Sequence, residues 1–460
     1  MLNYPTVMNK NIRLELEDQL LDKLKGRLQV LQPDHDREEI AAAALESVLA
    51  NDKARRFDSE FPKPESKASF VREFLSYGVI EGLLCDSDVE DIVIHGLQPI
   101  FIHHSEKGFV DTGKRFEHIR ELDIFIKKLL VFSNRDSMNR IIDLELSNLG
   151  GRANIITSPF GAQITITKAK VDPISILDLV ARGSMTYEVA AQLWVYVDGL
   201  SIRPANIMLA GGPGTGKTTL LNALFSFFPE KDHTVIIEDT LELNTFLLDT
   251  VSRLESDDEL SLADLVKNSL RMRPERIVIG EVRGIEARDM ITAMNVGKYC
   301  ICTIHALTSR EAIIRLQNDP MNIPEMLVNL IDVFVVLKRF HIEDKVFRVV
   351  DEVSETGGME QKKILLSPVY KYNYEQNRVI MMSPSTIYRD RLAREAGLTP
   401  REIINETIVR AIVLKQLHSR GIHTLKDVTT FCRAYRLDSS DAMNRIGLNR
   451  KQLLKDVEKL

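Results

Sequence analysis

The chain has 460 residues, of which 44% are hydrophobic and 27% are charged, a composition typical of globular proteins that excludes extended disorder. This length exceeds that of one compact core and favours about two to four domains. The net charge of −6 excludes the overall positive field of a dedicated nucleic-acid-binding protein. We therefore expect a multidomain globular protein that binds no nucleic acid directly.

The four cysteines form no CxxC pair, which argues against a zinc module or a disulfide framework and suits a reducing cytoplasm. The sequence contains no apolar run of the roughly 20 residues that a membrane-spanning helix needs. Its first residues also lack the apolar run of a signal peptide. We expect a cytoplasmic protein that, if it works at a membrane, acts from the soluble side.

In chain order, apolar residues at helical spacing predict a helical N-terminal extension over residues 1–65. Residues 66–170 combine helical patterns with short β-branched runs such as DIVIHG and PIFIHHS, which predicts a smaller α+β domain. Asp172 before Pro173 marks a break, and we interpret residues 171–190 as a linker.

Short apolar strand patterns alternate with helical patterns over residues 191–385, which predicts an α/β domain with a mostly parallel sheet. Residues 386–460 form a C-terminal helical region. One of its helices is predicted to begin with Thr399 as the cap and Pro400 at the first helical position.

The segment GGPGTGKT, from Gly211 to Thr218, matches the pattern GxxxxGK[ST]. The strand-like NIMLA precedes it and the helix-like TTLLNALFSFF follows it, so a chance glycine-rich turn is a poor alternative. Backbone N–H groups of such a loop surround phosphates at the positive end of the helix. The predicted nucleotide-binding residues here are Gly211, Gly212, Pro213, Gly214, Thr215, Gly216, Lys217, Thr218 and Thr219.

Three carboxylates, Glu238, Asp239 and Glu242, follow the apolar strand pattern TVII. At the carboxyl end of a parallel strand beside a phosphate loop they face the crevice where ligands bind. They are predicted to order magnesium or to polarise the attacking water. The alternative is a strand that ends in a solvated acidic turn.

Two further strand patterns end in polar residues. RIVIGEVRG resembles a Walker B strand with Glu281, in place of the commoner Asp, near magnesium, and Arg283 follows. CICTIH delivers His305 to the same end of the sheet, where it could contact the γ-phosphate, although a lone histidine is more often structural. Arg271 and Arg273 in SLRMRPER suit charge stabilisation in trans, and the alternative is a pair of solvated arginines.

In order and spacing, GGPGTGKTTLLNAL, IIEDTLEL, RMRPERIVIGEVRG and CTIHA resemble the four nucleotide-site boxes of the type II/type IV secretion ATPase superfamily. RMRP followed by GEVRG is typical of its tight-adherence (Tad) pilus, conjugation-related and archaeal branches, and the resemblance covers about residues 70–435. It implies a RecA-like P-loop ATPase domain preceded by a smaller α+β, PAS-like domain, with helical extensions at both ends.

The resemblance also implies roles for individual residues. Glu242 would activate water, Glu281 would be the Walker B acid, and His305 would be the His-box residue. Arg271 and Arg283 would stabilise charge within or across subunits. Mg²⁺ would be bound at Thr218, Glu238 and Glu281, and Lys217 would bind phosphate.

One departure concerns the end of the N-terminal domain, where relatives have TIRKF and this chain has TITKAK. Thr167 replaces the expected arginine, with Lys168 and Lys170 nearby, so an N-terminal-domain arginine contact to nucleotide is in doubt. Arg152 is the remaining candidate for that contact.

By resemblance, the chain is expected to act as a homo-hexameric motor that hydrolyses ATP with Mg²⁺ at the inner face of the cytoplasmic membrane. It would drive a Tad or archaeal pilus through an integral membrane platform protein, and so act on pilins indirectly. The alternatives are a type IV secretion or conjugation ATPase that exports DNA or effector proteins, a non-hydrolysing nucleotide-binding scaffold, and a small-molecule P-loop kinase.

Overall fold

The computed structural model describes residues 8–28, 32–50, 57, 60–61, 64–105, 107–134, 140–146, 151–159, 161–168, 173–257, 259–342, 345–360 and 363–459. Lys170 and Asp172, which the sequence analysis singled out, lie outside these residues. The chain divides into two compact units, Met1–Val171 and Asp172–Leu460. None of the helices within the described residues is long and apolar enough to cross a membrane.

The first unit contains helices and one antiparallel sheet. Its helices are α1 (Lys10–Leu24), α2 (Asp34–Leu49), α3 (Pro64–Leu75), α4 (Glu81–Leu84) and α5 (Ile119–Phe132). Its strands are β1 (Val89–His95), β2 (Phe101–His104), β3 (Gly108–Asp111), β4 (Ile141–Glu145), β5 (Gly151–Ser158) and β6 (Gly161–Lys168). The strand order is β3-β2-β1-β6-β5-β4, and every neighbouring pair is antiparallel.

The N-terminal helices share one hydrophobic core with this sheet. Leu16, Leu20 and Leu24 of α1 are fully buried in the same cluster as Ile94 of β1 and Ile166 of β6. Residues predicted as two segments, 1–65 and 66–170, thus pack as one unit.

The second unit begins with α6 (Ile176–Ala181) and α7 (Tyr187–Asp198). Its alternating part contains β7 (Ile207–Gly211), α8 (Lys217–Leu224), β8 (Thr234–Glu238), β9 (Val251–Glu255), α9 (Leu262–Ser269), β10 (Arg276–Val282), α10 (Glu286–Asn295), β11 (Tyr299–Ile304), α11 (Ser309–Gln317) and α12 (Glu325–Val328). It continues with β12 (Val333–Ile342), β13 (Lys345–Glu360), β14 (Lys363–Asn373) and β15 (Arg378–Met381). The last helices are α13 (Ile387–Ala396), α14 (Pro400–Ser419), α15 (Leu425–Leu437), α16 (Ser439–Arg445) and α17 (Arg450–Val457).

The sheet of the second unit has the strand order β15-β14-β13-β12-β7-β11-β10-β8-β9. The strands from β12 to β9 in this order run parallel, and β13, β14 and β15 extend the sheet as antiparallel neighbours. Every residue of β7 and β8 is buried. Helices cover both faces of parallel sheets of this kind, and this burial explains the continuous apolar runs of the two strands. These features confirm the predicted fold class, an α/β RecA-like P-loop domain preceded by a smaller α+β unit.

Helices at both ends of the second unit pack into its core. Ile176 and Leu177 of α6 lie in that core, within the range predicted as a linker. Thr399 caps α14 through a reciprocal capping box with Glu402, and Pro400 occupies the first turn. The predicted start of this helix is therefore confirmed.

Candidate functional site

The loop after β7 has the backbone conformation of a phosphate-binding loop. Gly214 and Gly216 have φ angles of +67° and +95°, which residues with side chains rarely adopt. A Cβ on Gly211 would lie 2.5 Å from Thr215 Oγ1 and 2.8 Å from the Leu337 carbonyl oxygen. The positive φ angles of Gly214 and Gly216 and the close packing around Gly211 therefore explain why the motif has glycine at these positions.

Lys217 is the first residue of α8, and its side chain is directed back over the loop. Its Nζ donates hydrogen bonds to the carbonyl oxygens of Gly211 at 2.9 Å and Gly212 at 3.1 Å. Burial lowers the pKa of the amine, and the carboxylates of Glu281 and Glu242 act in the opposite direction. The side chain is thus a buried donor close to two carboxylates that lie far from it in sequence.

Thr218 and Glu242 meet at the end of the sheet, where Thr218 Oγ1 donates to Glu242 Oε2 at 3.4 Å. The loop that carries Glu242 is held by Glu238, because Glu238 Oε1 accepts from the backbone N–H groups of Glu242 and Leu243, both at 3.0 Å. Arg253 on β9 lies 3.5 Å from the other oxygen of Glu238. These contacts give Glu238 a loop-holding role, and the metal-binding role predicted for it stays a prediction.

Glu281 and His305 come together from adjacent strands. His305 Nε2 lies 3.2 Å from Glu281 Oε1. Burial lowers the pKa of His305, the Lys217 charge lowers it further, and Glu281 opposes both effects. A neutral imidazole near neutral pH can donate its Nε2 proton to Glu281.

The predicted arginines differ in their surroundings. Arg283 forms a close ion pair with Asp239, and Ser256 Oγ donates to the same carboxylate at 2.7 Å. Arg271 lies in a short 3-10 turn after α9 and is exposed, and Arg273 is exposed with a φ of +54°. The structure brings Arg283 to the acidic loop, and the roles in trans remain predictions.

In the first unit, Arg152 is the predicted candidate for nucleotide contact, and Lys168 follows the position where relatives have an arginine. Arg152 lies exposed on β5, and its predicted role stays a prediction. Lys168 Nζ donates to the carbonyl oxygens of Asp86 and of Leu83, within its own unit.

Sequence reasoning missed several residues that shape the site. Glu286 is buried and accepts the N–H groups of Arg283 and Gly284, both at 2.6 Å, so it fixes the turn after β10. Arg339 and Arg348 approach the phosphate loop from the β12–β13 hairpin, for which no motif exists.

The donor set fits a magnesium ion that is held mainly by a nucleotide. Within the described ranges, no cluster of three or more His, Cys, Asp or Glu side chains could hold a metal on its own. Mg²⁺ usually keeps several waters and takes one or two protein oxygens together with substrate phosphates. The Thr218 hydroxyl and the Glu242 carboxylate, 3.4 Å apart, are oxygen donors of that kind.

The fold and this site define a P-loop nucleotide-binding protein of the RecA-like class. The family model "Type II/IV secretion system protein" matches residues 141–416. The chain belongs to this family.

Several known proteins are similar to the chain. An uncharacterized protein of Methanocaldococcus jannaschii is 30% identical over 380 residues, which cover 78% of this chain and 68% of the relative. The probable conjugal transfer protein TrbB of Sinorhizobium fredii is 32% identical over 270 residues, 56% of this chain and 81% of the relative. A crystal structure of the Legionella pneumophila ATPase DotB matches 81% of this chain and 92% of the DotB chain, with 15% identity and a TM-score of 0.43.

Proposed function

We propose that this chain hydrolyses ATP. The observation that carries the proposal is the convergence of Lys217, Thr218, Glu242, Glu281 and His305 at the carboxyl ends of β7, β8, β10 and β11. Ligands of open α/β sheets bind at that edge. A scaffold that only bound nucleotide would have no need of two separate carboxylates beside the lysine.

Each side chain has a role that its contacts support. The Lys217 amine exchanges loop carbonyls for phosphate oxygens and offsets their charge. Glu242, exposed and close to Thr218, orients the water that attacks the γ-phosphorus as the bond to the β-phosphate oxygen breaks. Glu281 and His305 form a polar pair that responds to loss of the γ-phosphate.

Thr218 and the nearby carboxylates of Glu242 and Glu281 would hold a Mg²⁺ ion, which would neutralise phosphate charge when bound. Glu238 is engaged by backbone N–H groups. It would support this arrangement by holding the loop that carries Glu242.

Steady-state hydrolysis with the full chain tests the proposal. Glu242→Ala should lower kcat by about two to four orders of magnitude, because water loses its orienting carboxylate, while ADP affinity changes little. Lys217→Ala should lose nucleotide affinity. Glu375→Ala, in the exposed β14–β15 turn, is the matched control and should hydrolyse ATP like the wild type. Unchanged turnover in Glu242→Ala would remove the role given to that residue.

For the whole protein, we propose a hexameric motor at the inner face of the cytoplasmic membrane that drives a Tad or archaeal pilus through a membrane platform protein. Membership of the type II/IV secretion family supports a motor, and the RMRP and GEVRG segments are typical of the Tad, conjugation-related and archaeal branches. Affinity capture from the native cell should recover a polytopic platform protein encoded beside pilins.

A second candidate is a conjugation motor, which the 32% identity to a probable conjugal transfer protein favours. In that case the same capture experiment recovers DNA-transfer components in place of a pilus platform. Recovery of neither class would leave the ATPase proposal standing and would contradict both assignments of cargo.

A further inference from the structure

The β12–β13 hairpin extends past the strand that carries the phosphate loop. β12 pairs with β7 from Val333 to Leu337, and Leu337 lies opposite Gly211, the last residue of β7. β12 then continues to Ile342, and β13 pairs back along it from Lys345. The outer part of the hairpin therefore lies beside the loop.

Aromatic and ionic contacts fix one face of this hairpin. The Phe340 ring stacks on its cross-strand neighbour Phe347 at 5.7 Å and packs against Tyr374 at 5.6 Å. Lys338 Nζ forms an ion pair with Asp351 at 2.8 Å. Because side chains alternate along a strand, Arg339 and its register partner Arg348 belong to the opposite face.

Both arginines reach the tip of the phosphate loop. Arg348 Nε donates to the Gly214 carbonyl oxygen at 3.0 Å. Arg339 Nη1 lies 3.2 Å from the position that a Cβ on Gly214 would occupy. Two guanidinium groups of the same subunit thus contact a loop whose N–H groups are built to bind phosphates.

Arg339 and Arg348 lie directly opposite each other across the hairpin. Like charges directly opposite each other on antiparallel strands are destabilising. Arg339 Nε is buried and, within the residues that the structure describes, has no hydrogen-bond partner. Burying a charged donor in this way is unfavourable, and a phosphate oxygen is the partner that would satisfy it.

We propose that Arg339 and Arg348 bind the phosphates of a nucleoside di- or triphosphate held at the Gly211–Thr218 loop. This inference rests on the proposed nucleotide hydrolysis and adds a cationic contact in cis that lies outside the sequence motifs. The planar guanidinium suits phosphate oxygens better than an ammonium does, since it presents several donors in a fixed geometry.

Equilibrium titration of the full chain with a fluorescent ADP analogue tests this assignment. Arg339→Gln removes the charge without breaking a described hydrogen bond of Arg339 Nε, and it should weaken ADP binding about tenfold or more. Arg339→Lys keeps the positive charge and should lose less ADP affinity than Arg339→Gln does. Arg378→Gln, an exposed arginine on β15 of the same sheet, is the matched control and should bind like the wild type.

Competition by inorganic pyrophosphate separates a phosphate contact from an effect on the base or ribose. Arg339→Gln should weaken pyrophosphate binding by the same factor as it weakens ADP binding. Weaker ADP binding with unchanged pyrophosphate binding overturns the assignment, as does unchanged binding of both. If the wild type and Arg378→Gln both fail to bind ADP, the proposed hydrolysis itself is contradicted.

Discussion

Glu238 is an acidic residue at a position where a carboxylate ion is unfavourable, because its side chain is only 3% exposed. Burial raises its pKa to about 7, and the N–H groups of Glu242 and Leu243 together with Arg253 oppose the rise only in part. The residue that holds the Glu242 loop therefore changes protonation state close to neutral pH.

We expect Glu238→Gln to stabilise the protein at alkaline pH more than at acidic pH, because glutamine resembles the protonated carboxyl and stays neutral. The ordinary pKa of this carboxyl is 4.5, so wild-type stability falls as the pH rises from there to about 7. Above that range the ionised wild type is destabilised by about 3 kcal/mol relative to a neutral side chain. Calorimetric melting at about pH 5 and pH 8 measures the effect as a Tm difference between the two proteins.

The control for Glu238→Gln is a substitution of a glutamate that is not buried. Glu375→Gln changes an exposed glutamate in the β14–β15 turn and should show the same Tm difference from the wild type at both pH values. An equal Tm difference for Glu238→Gln at both pH values would contradict the burial argument.

Motif spacing singled out Lys217 and Thr218 at the start of α8 and Glu242 and Glu281 at the ends of strands, and their roles stay predictions. The close pairing of His305 with Glu281 followed from parallel neighbouring strands. Arg339 gave no such signal, since its approach to Gly214 depends on the pairing of β12 with β7, strands far apart in sequence.

A buried network of charged side chains attaches helix α14 to the core of the second unit. Arg410 Nη1 lies 2.9 Å from both carboxylate oxygens of Asp198, and its Nε donates to Glu406 at 3.0 Å. The guanidinium packs 4.6 Å over the Trp194 ring. Asp198 is 2% exposed, so the loss of Arg410 would leave an unpaired buried carboxylate.

We expect Arg410→Ala to lower the free energy of unfolding by about 3 to 5 kcal/mol, because breaking a buried ion pair leaves one charge uncompensated. Arg401→Ala, an exposed residue on the same helix, should change it by less than about 0.5 kcal/mol. Denaturant unfolding followed by fluorescence reports on this region, since Trp194 is the single tryptophan of the chain. Equal effects of the two variants would show that the network adds nothing.

Gly199 ends α7 at a point where the chain returns close to its own backbone. Its φ is +51°, and an added Cβ would lie 2.2 Å from the Pro204 nitrogen. Gly183 also has a positive φ, +74°, but nothing lies within 4 Å of its Cβ position.

Gly199→Ala should therefore prevent stable folding, because the backbone of Pro204 would have to move. Gly183→Ala carries only the conformational strain of a left-handed residue, about 1 to 2 kcal/mol, and should remain soluble. Soluble yield and Tm of the two variants measure the difference. Similar yields and Tm values for both would indicate that the Gly199 turn relaxes freely.

The parallel strands of the second unit were predictable because burial on both faces leaves continuous apolar runs. The antiparallel extension, β14 and β15, was not predicted. Bulges between Val353 and Ser354 and between Thr356 and Met359 shift the register of β13 against β14. Such shifts break the two-residue period on which strand prediction depends.

The whole molecule consists of two units with separate hydrophobic cores. Large apolar side chains remain exposed on the second unit near the ends of β10, α10 and β11, among them Ile285 at 57%, Val296 at 60% and Leu307 at 57%. Single exposed apolar residues are ordinary at a protein surface, so the expected oligomer rests on the proposed motor function.

We expect the protein to form a hexamer of its 52.3 kDa chain in the presence of ATP and Mg²⁺. Light scattering during size exclusion measures the mass directly. Lys217→Ala, which should not bind nucleotide, distinguishes assembly that depends on ATP from assembly that does not. A monomeric mass for the wild type under all conditions would contradict the proposed ring.

The position of β7 in the middle of its sheet has a consequence for synthesis on the ribosome. Its two neighbours, β11 and β12, begin only at Tyr299 and Val333. The strand that leads into the phosphate loop therefore emerges without a sheet partner and stays exposed until much of the unit has been translated. Such delayed parallel pairing folds slowly and exposes apolar segments to aggregation. We expect nascent chains that stop before residue 333 to depend on chaperones, whereas chains carried past the β12–β13 hairpin can bury β7 on both sides.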